Sequence, residues 1–148
     1  MLKLRKYPLR IASGWAIISN NFLEIDISDK GDTKIQRNHL HSDLFFASKI
    51  LFRDDIFQIM SNEPSIDLGW EFEGDAKNGY YLIRILKPDW DNVAFRLGSR
   101  NREIIADVIE IATYEIGNCE SVPRAVELIK KHLEQFDANE WEIIENTV

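Results

Sequence analysis

A few residues in this chain have the types and spacing that chemistry could use. His39 and His41 stand two apart. Cys119 is the single cysteine, Asp54-Asp55 and Glu71/Glu73 pair carboxylates, and Asp89-Trp90-Asp91-Asn92 begins like a calcium loop. Two histidines can open a zinc site, but closing it takes further donors, and no second Cys or third nearby His supplies them. They read as solvated loop histidines. His132 falls between Ile129 and Phe136 in a helically patterned segment and reads as a helix-surface residue. A thiol becomes a nucleophile beside a positioned base, and nothing near Cys119 offers one. The Asp89 run lacks the glycine and the distant glutamate of an EF-hand. Following Pro88, it reads as a β-turn between strands. Gly74 to Gly79 lacks the Lys-Ser/Thr pair and following helix of a phosphate-binding loop, so it reads as a hairpin turn. No catalytic residue, metal or cofactor is expected from these groups.

The carboxylates have a second use. Ile66, Leu68, Trp70 and Phe72 alternate with Asp67, Gly69, Glu71 and Glu73, the period of two that sends alternate side chains to opposite faces of a strand. If Trp70 and Phe72 point into a core, then Asp67, Glu71 and Glu73 form an acidic row on the open face. Such a row pairs with Lys and Arg of a partner and speeds association. It is the expected binding site.

The elements that would position this row follow from patterning. The strand at Ile66 to Glu73 leads through the Gly74–Gly79 turn into Tyr80 to Leu86, then Val93 to Leu97, giving three consecutive antiparallel strands. Upstream, Ile11 to Ile18 and Phe22 to Ile27 are rich in β-formers, and Ser19-Asn20-Asn21 suits a hairpin turn between them. Ser28 to Ser42 is polar and reads as a long surface loop. Asp43 to Phe52 reads as a strand broken by Arg53-Asp54-Asp55, and Ile56 to Met60 as a short helix or strand.

After Leu97 the apolar period becomes helical. Ile104, Ile105, Val108, Ile111, Ala112 and Ile116 share a helix face, with Ser99 or Asn101 as cap and Gly117-Asn118 as stop. Ser121 caps a second helix with the stripe Val126, Ile129, Leu133 and Phe136. The expected fold is α+β, an antiparallel sheet of about five to six strands packed against two C-terminal helices.

At 148 residues, with 45% hydrophobic content, the chain is expected to form one domain with a real core. It has a basic lead-in over 1–10 and an acidic tail over 137–148. The formal net charge is −7. Lys3, Arg5, Lys6 and Arg10 precede every acidic residue, so the rest of the chain sets 14 basic against 25 acidic side chains. Such a surface repels nucleic acid and anionic membrane and attracts basic protein. No apolar run approaches the roughly 20 residues that span a bilayer. The N-terminus lacks the apolar core of a signal peptide. With one cysteine, these features point to the reducing cytoplasm.

Tyr7-Pro8-Leu9-Arg10-Ile11-Ala12-Ser13-Gly14-Trp15, followed by Asn20-Asn21-Phe22, resembles the start of small bacterial immunity proteins encoded beside polymorphic toxins, such as those of contact-dependent growth inhibition. The Leu68-Gly69-Trp70 strand is similar to that group as well. The resemblance covers about residues 5 to 115, with Gly14 and Trp15 as fold markers. It implies a cytoplasmic protein, not an enzyme, that binds and neutralises one cognate toxin domain, often a nuclease. It carries over no catalytic residue. An acidic inhibitor suits a basic nuclease. The alternatives are a small enzyme using carboxylates in a cleft beside the Ser28–Ser42 loop, drawing on Asp54-Asp55 and Asp89/Asp91, or an acidic interaction and regulatory module.

Overall fold

The computed structural model describes residues 4–9, 14–53, 56–59, 64–97 and 102–135. Its strands are β1 (Trp15–Asn20), β2 (Phe45–Arg53), β3 (Ile56–Ile59), β4 (Ser65–Glu71), β5 (Tyr80–Leu97) and β6 (Arg102–Ile116). Its helices are α1 (Thr33–His39) and α2 (Val122–Gln135). The sheet runs β1-β2-β4-β5-β6, every pairing antiparallel, while β3 folds back on the far half of β2. The fold is α+β, as the residue pattern predicts.

The buried apolar side chains follow the period of two where the strands are central. Phe45 and Ala47 on β2, Ile66, Leu68 and Trp70 on β4, Tyr81, Ile83 and Ile85 on β5, and Tyr114 and Ile116 on β6 are buried together. The α2 stripe Val122, Ala125, Val126, Ile129 and Leu133, at spacings of three and four, joins the same core. An aromatic run passes through this core. Tyr7 stacks on Phe22 at 5.1 Å between ring centroids. Phe22 meets Tyr81 edge-on at 5.6 Å, and Tyr81 meets Trp70 edge-on at 4.7 Å. Each large ring fully buried contributes on the order of 2–3 kcal/mol through the surface it removes from water.

Several expectations are corrected. Residues 104–116 are not a helix but most of β6, paired with β5 along its length. Ile104, Ile105, Val108, Ile109, Ile111 and Thr113 are β-branched and stiff at χ1, which favours a pleated strand once a partner is there to pair with. Among the described residues one C-terminal helix therefore covers the core, not two. Ser28 to Ser42 is not a plain loop: Asp32 caps α1 inside it, its Oδ1 accepting from Lys34 N at 2.9 Å and Ile35 N at 3.2 Å. Phe22 to Ile27 is not a strand paired with β1. Its ladder contact is a bridge from Leu23 to Lys6, and β1 pairs with β2 instead. Asp89 to Asn92 is not a turn between strands. The register with β6 jumps from Asp89↔Asp107 to Val93↔Ala106, a bulge inside one long strand. Asp54-Asp55, the 98–101 helix cap and the 137–148 tail lie outside the described residues. Among the described residues no helix is long and apolar enough to cross a membrane.

Candidate functional site

The outer face of the sheet, opposite the core, carries cross-strand rows. Phe46, Asp67, Arg84 and Thr113 form one; Gly69, Leu82 and Glu115 form the next; Glu71 and Tyr80 form the last, at the end of β4. The expected acidic row sits here, and the structure separates its members. Asp67 is 9% exposed, and its Oδ2 accepts from Arg84 Nη2 at 2.7 Å. Burial nevertheless raises the Asp67 pKa, the Arg84 guanidinium opposing the shift and Asp43 adding to it. Asp67 is thus a structural half of an ion pair, not a member of an open acidic face.

Glu71 is exposed, as expected, but it is the last residue of β4. Phe72 follows in the left-handed region at φ 65°, which breaks the alternation. Phe72 is therefore 58% exposed and not a core residue, whereas Trp70 is 2% exposed as predicted. The turn carries Glu73 off the strand to accept from Ser42 N at 3.1 Å. That backbone hydrogen bond holds its carboxyl below the usual range, with His41 lending a smaller effect.

Contacts on both sides hold this corner. Segment 40–44 runs alongside β4. Leu44 N donates to Leu68 O at 3.0 Å, Trp70 N to His41 O at 2.7 Å, and Gly74 N to Leu40 O at 2.9 Å. Gly69 is required here, because a Cβ would run into the Ser42 carbonyl. Inside the turn, Asp75 accepts from Lys77 N and Asn78 N, both at 3.1 Å, and from Asn78 Nδ2 at 2.8 Å. The Asn78 side chain leads in keeping this carboxyl below its ordinary range. Trp70 Nε1 donates to Asp75 O at 3.2 Å, so the buried indole anchors the turn.

At the corner's surface, Phe72 and Tyr80 meet edge-on at 6.3 Å. Partial burial raises the Tyr80 pKa, and the Glu115 and Glu71 carboxylates raise it further, with Glu115 within hydrogen-bonding reach of the phenol. The corner therefore groups an exposed aromatic pair with two carboxylates. Sequence reasoning missed Tyr80 and Glu115, because their proximity requires β6 to be a strand. It misplaced Phe72, because alternation cannot show where a strand ends. The following Glu73-Gly74 was the available signal.

Behind the corner, Ile27, Ser28, Thr33, Gln36, Arg37 and Ala76 help line a cleft of about 320 Å³. Gln36 is buried and donates through Nε2 to Asp26 O at 2.7 Å and Ser28 O at 3.1 Å, tying α1 to the preceding loop. Asp29 and Asp75 border the cleft. Asp75 is committed to its turn and held ionised, which suits a structural carboxylate better than a proton donor. His39 and His41 gather no metal set: among the described residues no His, Cys, Asp or Glu cluster could hold one. Cys119 is half-buried, and burial raises its thiol pKa, with Glu120 adding to the effect. The Tyr81 hydroxyl is enclosed beside it without a partner in hydrogen-bonding geometry.

No protein-family model matches the chain, and no characterised protein or solved structure is significantly similar to it.

Proposed function

We propose that this chain is an immunity-type protein that binds and neutralises a basic bacterial toxin domain of the nuclease kind, acting in the cytoplasm and docking through the β4–β5 corner. The observation that carries this reading is Phe72. A large apolar side chain stands 58% exposed in a left-handed backbone conformation, between exposed carboxylates at Glu71 and Glu73. A left-handed conformation costs a non-glycine residue about 1–2 kcal/mol. An exposed ring at that cost is better explained by contact with a partner than by folding. The net charge of −7 gives a basic partner an attractive approach. The immunity-like N-terminal stretch supplies the class of partner.

The test is growth rescue. The chain is co-expressed with the toxin domain encoded beside it. Restored growth, with a stable complex on gel filtration, supports the reading, and continued killing sinks it. The alternative of a carboxylate enzyme has the 320 Å³ cleft in its favour, but the Asp75 carboxylate that borders it is already used by the turn. A regulatory module with the same acidic corner would bind a basic protein without any neighbouring toxin gene.

A further inference from the structure

We propose that the β4–β5 corner is a receptor for one basic side chain, an arginine or lysine of the partner, seated against the Phe72 and Tyr80 rings and flanked by the Glu71 and Glu115 carboxylates. This rests on the partner-binding reading above and names the chemistry it would use. Glu71 lies directly opposite Tyr80 on the β4–β5 ladder, and Glu115 lies opposite Leu82, one outward-facing position further along β5. Both carboxylates act on the Tyr80 phenol. The rings are 6.3 Å apart at 76°, so they form a corner and not a stack. A cation over such faces is attracted by the ring quadrupoles, and the carboxylates complete its coordination.

The surrounding charges select a cation. Arg84, two outward-facing positions along β5 from Tyr80, is held by Asp67 at 2.7 Å. Glu73 is turned toward Ser42 N. Glu71 and Glu115 stand beside Tyr80 on the ladder and act on its phenol. A purely apolar partner would have to strip water from two carboxylates without replacing it. Nucleic acid or an anionic lipid surface would meet repulsion. A guanidinium fits best, because its flat face stacks on a ring while its edge donates to a carboxylate.

The experiment is an NMR titration of the full chain with a tetra-arginine peptide and, separately, with the same peptide carrying citrulline, which keeps the shape and loses the charge. The receptor predicts saturable shifts centred on the Phe72 and Tyr80 rings with arginine and none with citrulline. It also predicts that Phe72→Leu, which leaves every charge in place and alters an exposed side chain, weakens binding about tenfold. Glu115→Gln should weaken it as well, with the fold retained. Shifts spread evenly over acidic residues, or an unchanged affinity for Phe72→Leu, overturn the receptor. Its failure is separable from that of the toxin-binding reading. Growth rescue by a chain whose corner ignores arginine removes the receptor alone. Arginine binding at the corner without rescue removes the toxin reading and leaves the receptor standing.

Discussion

Arg84 reaches across the β4–β5 ladder to Asp67 on the outer face of the sheet, Nη2 to Oδ2 at 2.7 Å, directly behind the layer that buries Leu68 and Ile83. This pair turns what alternation presents as a wet acidic face into a partly closed one. Its energetics are testable through pH. Burial raises the folded-state pKa of Asp67. Its contribution to stability is therefore fully present below about pH 4 and lost as pH rises through the folded value. Asp67→Asn, which keeps an acceptor for Arg84 but no charge, should gain on the parent protein as pH is raised from 4 to 7. Thermal melts across that range will show it. Arg84→Met, which leaves the carboxylate without its partner, should cost about 1–2 kcal/mol, less than a fully buried pair because the Arg84 side chain is 38% exposed.

Asp26, Glu73 and Asp75 titrate in the opposite sense. Each has its pKa lowered, by Ser28, by the Ser42 N–H and by Asn78 respectively. A depressed carboxylate supplies stability above about pH 4 that is lost as pH falls through the folded value. The acid limb of the stability curve should thus slope down toward pH 2. Glu73→Gln should flatten that limb by lowering stability at pH 7 while leaving it unchanged at pH 2.5, where the parent carboxyl is itself protonated. Urea midpoints at pH 2.5, 4 and 7 measure this.

Trp70 and Phe72, two apart in the chain, should respond to substitution in opposite ways. Trp70→Ala removes a buried ring and the Nε1 anchor of the turn, and should cost about 3–5 kcal/mol. Phe72→Gly relieves a φ of 65° and should be neutral or stabilising by up to about 1 kcal/mol. Chemical denaturation of both variants settles the comparison.

Gly69→Ala places a methyl group against the Ser42 carbonyl. Backbone gives way less readily than a flexible side chain, so the expected cost is at least about 1–3 kcal/mol. Hydrogen exchange should show the loss at Trp70 and Leu44, whose N–H groups hold segment 40–44 to β4.

Association kinetics test the docking surface. Glu71→Lys together with Glu73→Lys reverses two exposed charges and should slow association with a basic toxin strongly at low salt. The deficit should shrink as the Debye length falls from about 30 Å at 0.01 M to about 8 Å at 0.15 M. An unchanged rate at low salt would mean that the partner approaches another face.

What the sequence by itself determined was the α+β class, the β2 and β4 strands and the first half of β5 near their observed places, the inward faces of Leu68 and Trp70, and α2 with Val126, Ile129 and Leu133 of its stripe. These rest on short-range periodicity, which a sequence states directly. The tertiary structure decided the rest. A segment such as 104–116 satisfies both the helical and the strand pattern, and the long β5 partner chose the strand. The alternation from Ile66 to Glu73 continues past the end of β4 at Glu71, where Phe72 turns over, so the last core position and the last acidic position were both misplaced. Asp67 is hidden because Arg84, 17 residues away, pairs with it. The corner of Phe72, Tyr80, Glu71 and Glu115 comes from three strands. Its chemistry depends on ladder register, which is a property of the folded sheet and not of any one segment.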